Sequence, residues 1–223
     1  MNRRRGQLAL DLGFRPALGR EDFLVAPCNA AAVAWIDRWP DWPGPALALV
    51  GPAGSGKTHL AHVWRARTGA SLIPGRAVRG EIDLLLWGAK HAVVDDAESA
   101  DEETLLHLYN RLALDGASLL ITAATPPARW GTRLADLASR LRAAPVAAIG
   151  APDDALIEAV MVKLFADRRL VPAPEVIAYL VARIERSFDA ARRTVAALDR
   201  AALAERRTVT VQLARTVLES GGG

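Results

Sequence analysis

A phosphate-binding motif occupies the first half of the chain. Residues 51–58 read Gly-Pro-Ala-Gly-Ser-Gly-Lys-Thr, a full match to G-x-x-x-x-G-K-[ST]. Such glycines let backbone N–H groups surround an anion, while Lys57 supplies charge to the outer phosphates and Thr58 a hydroxyl to Mg²⁺. The alternative, a glycine-rich turn carrying Lys-Thr by coincidence, is disfavoured by the strand and helix predicted on either side. The predicted nucleotide-binding residues of this loop are Gly51, Ala53, Gly54, Ser55, Gly56, Lys57 and Thr58.

Two adjacent carboxylates provide the second half of such a site. Asp95 and Asp96 follow an apolar run. We expect Asp95 to hold, through water, the Mg²⁺ that Thr58 binds, and Asp96 to orient or deprotonate an attacking water. Apolar strands often end in Asp at a solvated turn, so the upstream P-loop decides in favour of a site.

Strands and helices alternate around these motifs. We predict helices over 28–39, 59–67 and 101–114, the last capped by Asp101. Short apolar runs bounded by turn residues predict strands over 46–50, 71–74, 91–95, 118–122 and 146–149. This alternation indicates an α/β fold with a parallel sheet flanked by helices.

The pattern becomes helical after residue 150. Helices are predicted over 153–168, after Pro174, over 188–205 and after Thr210. The first of them places Leu156, Val160 and Leu164 on one face. The predicted domains are therefore an arm at 1–20, an α/β nucleotide-binding domain at 21–150 and a small all-α domain at 151–223.

Composition excludes several classes of protein. Of 223 residues, 51% are hydrophobic and 24% charged, values typical of a globular chain with a packed core. No apolar run is long enough to span a membrane, and no signal peptide is recognisable, so a cytoplasmic protein is expected. The single cysteine, Cys28, excludes a disulfide framework. A net charge of +3 permits contact with nucleic acid but does not predict it.

Together the motifs resemble those of the AAA+ ATPases, and more closely the DnaA branch of that family. The resemblance implies an AAA+ P-loop core followed by a helical lid. Besides the P-loop, it rests on Asp95-Asp96 and on the segments Leu106–Arg111, Thr122–Pro127, Asp136–Leu141, Arg192 and Leu198–Arg200.

Two arginines acquire roles from this resemblance. Arg140 matches an arginine finger, which stabilises transition-state charge on a nucleotide held by a neighbouring subunit, and Arg192 matches the sensor II residue of the lid. Each could otherwise be an ordinary surface arginine. At sensor I, where the family has a polar side chain, this chain has Ala123 and Ala124, with Thr122 the nearest hydroxyl. That departure favours a protein that holds ADP and lends its finger over one that hydrolyses ATP efficiently.

The amino-terminal arm carries a second motif. Residues 7–12 read Gln-Leu-Ala-Leu-Asp-Leu, which is similar to the sliding-clamp-binding motif Q-L-x-L-x-L. In an extended peptide Leu8, Leu10 and Leu12 lie on one side and can enter an apolar cleft, while Gln7 makes hydrogen bonds beside it. The alternative is an amphipathic strand that joins the core sheet.

We therefore expect a regulator of replication initiation that binds ADP or ATP with Mg²⁺. Its expected partners are the DNA-loaded sliding clamp and DnaA, in which it would stimulate hydrolysis of the bound ATP through Arg140, with self-association possible and no dedicated DNA-binding domain. The alternative is an autonomous AAA+ ATPase, such as a helicase loader or remodelling motor. A third hypothesis is a DNA-binding module that uses Arg3, Arg4 and Arg5.

Overall fold

Five parallel strands form one sheet in the order β2-β3-β4-β1-β5 in the computed structural model, which describes residues 24–205 and 207–220. The strands are β1 Ala46–Val50, β2 Ser71–Pro74, β3 Ala92–Asp95, β4 Leu119–Ala123 and β5 Val146–Ala148. All five predicted strands are confirmed, each with its ends within one residue of the prediction.

Helices connect the strands and continue beyond the last of them. Those of the sheet region are α1 Ala30–Asp37, α2 Lys57–Thr68, α3 Ile82–Leu86, α4 Glu102–Leu114 and α5 Ala135–Ala143. Four more follow: α6 Asp154–Ala166, α7 Pro174–Val181, α8 Phe188–Glu205 and α9 Val211–Ser220. The helices predicted in these regions are confirmed, whereas α3 and α5 were not predicted as helices. Helix α3 has only five residues and ends at Trp87 in a left-handed conformation, and α5 has only two buried residues, Leu137 and Leu141, to mark a helical period.

The sheet is covered on both faces because alternate residues of a strand point in opposite directions. Ala46, Ala48 and Val50 of β1 join a core with residues of α3, α4 and α5. Leu47 and Leu49 join the opposite core, built with α1 and α2. The continuous burial of β1 explains why it reads as an uninterrupted apolar run.

A third core lies among α6, α7, α8 and α9, which we call the lid. The predicted apolar face of α6 is confirmed: Leu156 is buried in this core, and Val160 and Leu164 pack against it. The domain boundaries assigned above stay predictions. Among the helices of 24–205 and 207–220, none has the length and apolar character that a membrane span requires.

Aromatic side chains close the end of the sheet where β3 and β4 begin. Trp42 stacks on the fully buried Trp64 with ring centroids 5.4 Å apart, and Trp39 meets His91 edge-on at 5.4 Å. The His91 Nδ1 atom accepts a hydrogen bond from the Ser118 backbone N–H at 3.0 Å. His91 is therefore neutral at Nδ1, and burial lowers its pKa, with a smaller contribution from Lys90.

This arrangement predicts a pH-dependent stability that His91→Asn removes. The His91 imidazole binds a proton more weakly in the folded state than in the unfolded state. The neutral imidazole therefore stabilises the fold fully above the unfolded pKa of 6.5, and this stabilisation is lost as the pH falls through the lower pKa of the folded state. Asn keeps an acceptor for Ser118 but does not titrate. The midpoint of thermal unfolding should therefore fall less between about pH 7 and about pH 5 in the variant than in the wild type. His107→Asn, at an exposed site on α4, serves as control. Equal slopes for wild type and His91→Asn would contradict the assignment.

Candidate nucleotide-binding site

The carboxyl ends of three neighbouring strands bring the predicted motifs together. In the register, Val50 of β1 lies beside Ala123 of β4, and Val94 of β3 lies beside Ile121. The P-loop leaves β1 and the two aspartates leave β3 at the same edge of the sheet. Ligands bind at this edge in open α/β sheets.

The P-loop is closely packed where its glycines occur. Gly54 has φ +68°, a left-handed conformation, and a Cβ there would lie 2.6 Å from the Cβ of Ser187 in the lid. A Cβ on Gly51 would collide with the Ile149 carbonyl oxygen. Position 54 therefore requires glycine for both its conformation and its space, and position 51 requires it for space alone.

Lys57 begins helix α2 and turns back into the loop. Its Nζ donates hydrogen bonds to the carbonyl oxygens of Gly51 at 2.8 Å and Pro52 at 3.0 Å, and the side chain is buried. These contacts hold the ammonium group inside the loop, where phosphate oxygens can replace the carbonyls as acceptors.

Asp95 connects the P-loop helix to the neighbouring strand. Thr58 Oγ1 lies 3.2 Å from both carboxylate oxygens of Asp95. The Thr122 hydroxyl donates to Asp95 Oδ1 at 2.6 Å and accepts from the Asp96 backbone N–H at 3.0 Å. Thr122 is fully buried, so this network fixes both aspartates from one side of the sheet.

Asp96 has a different environment from Asp95. It has φ 54° and ψ 53°, a left-handed conformation that aspartate tolerates better than most residues, and it is exposed. Its carbonyl oxygen accepts from the backbone N–H and the hydroxyl of Ser99. The carboxylate of Asp96 is thereby presented to solvent at the edge of the site.

These residues fit a nucleotide with Mg²⁺. The P-loop surrounds the amino-terminal end of α2, whose free N–H groups attract phosphate. In the part of the chain that the structure describes, the buried Ser55 hydroxyl has no hydrogen-bond partner and is available to an added acceptor. Thr58 and Asp95 supply two adjacent oxygens, the donor type that Mg²⁺ prefers when phosphates and water complete its shell. Burial lowers the pKa of His62, one turn beyond Thr58, so this imidazole favours its neutral form.

The bridging position of Thr122 makes its removal costly. Thr122→Val keeps the shape but leaves the partly buried N–H of Asp96 without its acceptor and removes the 2.6 Å donor to Asp95, which keeps its contact with Thr58. We expect the free energy of unfolding to fall by about 1–3 kcal/mol. Denaturation in urea measures this change, and Thr122→Ser should restore most of the loss because it keeps the hydroxyl. Equal stability of wild type and Thr122→Val would show that the network contributes nothing.

The segment that carries Arg140 is helix α5, held at its start by α4. The carboxylate of Glu102 accepts hydrogen bonds from the backbone N–H groups of Arg133 at 3.0 Å and Leu134 at 2.9 Å, which lowers the pKa of Glu102. Arg140 lies further along α5. Within the described residues, its side chain contacts Asp136 and Tyr109, neither of which belongs to the P-loop.

The lid contacts the P-loop through the first residues of α8. The Phe188 backbone N–H donates to the Gly54 carbonyl oxygen at 2.9 Å, and the Ser187 hydroxyl caps the helix by accepting from Ala190. Arg192 is half-buried one turn further along α8, on the same helix face as Phe188.

Sequence reasoning missed three of these features. The hydroxyl of Thr122 was recognised only as the nearest one to sensor I, and neither the Glu102 contacts nor the Phe188–Gly54 hydrogen bond was predicted. Each of these contacts joins segments that are distant in sequence, so no local sequence pattern predicts it. Gln7, Leu8, Leu10 and Leu12 lie outside the described residues.

Comparisons with known proteins agree with this architecture. The chain is 31% identical to the chromosomal replication initiator protein DnaA of Sphingopyxis alaskensis over 210 residues, covering 79% of this chain and 45% of that protein. It spans about half the length of the curated relatives it matches. A scan against models of known protein families finds no match.

Solved structures give the fold. The crystal structure of domain III from the Thermotoga maritima replication initiation protein DnaA has a TM-score of 0.79 and 18% identity, covering 92% of this chain and 97% of that one. Replication initiator DnaA bound to AMPPCP and single-stranded DNA has a TM-score of 0.66 and 16% identity, covering 82% and 64%. The described part of this chain therefore has the DnaA-like AAA+ P-loop fold, a parallel-sheet core followed by the helices of the lid.

Proposed function

We propose that this chain regulates the initiation of chromosome replication in the manner of Hda, the DnaA-like regulatory inactivator of DnaA. In this proposal the P-loop, Thr58 and Asp95 hold ADP or ATP with Mg²⁺, with Arg192 reaching the nucleotide from the lid. The motif at 7–12 docks on the DNA-loaded sliding clamp. Arg140 then completes the ATP site of a neighbouring DnaA and stimulates hydrolysis there, which prevents re-initiation.

The observation that carries the proposal is the contrast between the chain's own site and Arg140. The Thr122 hydroxyl is already engaged by Asp95 and Asp96, and Ala123 and Ala124 offer no polar group to place an attacking water. Arg140, in contrast, is partly exposed with its terminal nitrogens unbonded in the described part of the chain. The terminal nitrogens of Arg140 are available to a ligand, and the chain's own site lacks a polar sensor I side chain. Together these two features favour action on the nucleotide of a neighbouring subunit.

The similarity to replication initiators supports the choice of partner. The relatives are DnaA proteins, and one similar structure holds the nucleotide analogue AMPPCP. An arginine finger supplied in trans acts on the nucleotide of a neighbouring chain, so a chain with the DnaA-like fold is suited to complete the site of DnaA.

The motif at 7–12 provides a direct test through binding to the sliding clamp of the same organism. We expect the purified chain to bind the clamp, and Gln7→Ala/Leu8→Ala to weaken binding by about tenfold or more, because Leu8 would fill the apolar cleft and Gln7 would make hydrogen bonds beside it. Surface plasmon resonance with and without ADP measures the affinities.

The matched control is Arg3→Ala/Arg4→Ala, which alters the same arm but spares the motif. It should leave clamp affinity unchanged. Absence of clamp binding in every nucleotide state would remove this part of the proposal. Steeply salt-dependent binding to DNA without the clamp, lost in the arginine variant, would instead favour the hypothesis of a DNA-binding arm.

An autonomous ATPase is the second candidate function. It is favoured by the exposed carboxylate of Asp96 beside Asp95, where a water-activating group would be needed. It predicts ATP turnover by the purified chain alone and loss of that turnover in Asp96→Asn, a change that the left-handed backbone tolerates. Nucleotide binding without turnover would reject this alternative.

A further inference from the structure

Arg140 is held by two side chains that differ in how firmly they are fixed. Its Nε donates to Asp136 Oδ2 at 3.1 Å, one turn earlier on the same helix, and its Cζ lies 5.6 Å from the centroid of the Tyr109 ring. Asp136 is an exposed residue of α5, whereas Tyr109 belongs to the neighbouring helix α4.

Tyr109 provides a rigid surface. Only 8% of the residue is exposed, and it belongs to the core formed with α3, α4 and α5. Burial raises the pKa of its phenol, so the ring stays neutral, and the face of such a ring attracts a cation. Because the ring is fixed in the core, it limits where the guanidinium of the partly exposed Arg140 can lie.

The contact with Asp136 leaves the useful end of Arg140 free. It occupies Nε, and across the residues that the structure describes the two terminal nitrogens make no hydrogen bond. Paired terminal N–H groups are the donors that bind phosphate oxygens in a fork geometry. Asp136 therefore orients the guanidinium group and leaves its two terminal nitrogens available to phosphate oxygens.

Helix α4 fixes the backbone as well as the side chain. Glu102 at its first turn binds the N–H groups just before α5, while Leu137 and Leu141 bury one face of α5 in the same core. Helix α4 therefore fixes both the start of α5, which carries Arg140, and the Tyr109 ring over which the Arg140 side chain lies.

We propose that Tyr109 is a positioning residue that, with Asp136, holds the Arg140 guanidinium ready for the phosphates of a nucleotide bound to a neighbouring subunit. This inference rests on the proposed function. A surface arginine with a solvated i,i+4 ion pair would need neither the ring nor the free terminal nitrogens.

The test measures phosphate release from ATP preloaded on DnaA as the concentration of this chain is increased. Tyr109→Leu should lower the maximal rate about 5- to 100-fold, from the lost cation–π contact and the misplaced finger, without changing the half-saturating concentration. Tyr109→Phe keeps the ring and should retain the wild-type rate. Asp136→Ala, at an exposed site that leaves the core intact, should also lower the maximal rate.

The outcomes separate this inference from the proposed function. If Arg140→Ala abolishes stimulation while Tyr109→Leu and Asp136→Ala retain it, the positioning role is wrong and the finger stands. Loss of stimulation in Tyr109→Phe would also overturn it, because the hydroxyl and not the ring would then matter. If Arg140→Ala itself stimulates normally, the proposed function fails. If Tyr109→Leu does not fold, the maximal rate with Asp136→Ala tests whether Arg140 is positioned by its neighbours. A wild-type rate in that variant would then overturn the inference.

Discussion

Arg140→Ala should leave the chain folded and able to bind nucleotide and clamp, yet abolish its stimulation of ATP hydrolysis on DnaA. The guanidinium would contribute charge only in the transition state of the partner's reaction, so the loss falls on the rate and not on assembly. Arginine fingers contribute about 10³ to 10⁵ in rate in GTPases, and we expect the stimulated part of the rate to be lost. Phosphate release from preloaded DnaA in a single turnover measures the effect.

Arg142→Ala is the matched control for this variant. Arg142 is exposed on the same helix and donates to the Ala138 carbonyl oxygen, so its removal changes the net charge equally. It should stimulate as the wild type does. Equal stimulation by Arg140→Ala and wild type would show that the finger is another residue.

Lys57→Met should weaken nucleotide binding about 10- to 150-fold, the effect of losing one charge-assisted hydrogen bond to phosphate. Methionine preserves most of the buried aliphatic stem of Lys57 and removes only the ammonium group. The Gly51 and Pro52 carbonyl oxygens that now accept from Nζ would lose their donor, so stability should also fall. Titration calorimetry with ADP and with ATP, each with Mg²⁺, measures the affinity.

Lys90→Met is the corresponding control. Lys90 is exposed just before β3, at the opposite end of the sheet from the P-loop, and its replacement removes the same charge. It should leave the affinity unchanged. If Lys57→Met and Lys90→Met both bind nucleotide as tightly as the wild type, neither the ammonium contact of Lys57 nor the net charge contributes to affinity. The loop then does not bind phosphate as proposed.

Local signals explain how much of this fold the sequence predicts. β1 and β4 are buried on both faces and read as continuous apolar runs, and the P-loop follows β1 as a full motif. Helix α4 was predicted with Asp101 at its cap, and the Asp101 carboxylate does accept from the Thr104 N–H at 2.9 Å. Each of these features depends on residues close together in sequence.

The features that were not predicted depend on tertiary placement. Thr122 reaches Asp95 only because β4 lies beside β3 in the register that sets Val94 against Ile121. The meeting of Gly54 with Ser187 requires the lid to fold back on the P-loop. Helix α5 has only two buried residues, Leu137 and Leu141, to mark a helical period, and the backbone just before it is held by Glu102 from another helix. The clamp-binding motif stays a prediction.

The central claim, that this chain completes the ATP site of a DnaA neighbour, can be tested in one reaction. ATP-loaded DnaA from the same organism is mixed with the ADP-bound chain and the clamp loaded on DNA, and phosphate release is followed through a single turnover. We expect hydrolysis to accelerate only when the chain and the clamp are both present. An unchanged rate of hydrolysis, with both proteins shown to bind under the same conditions, would contradict the account.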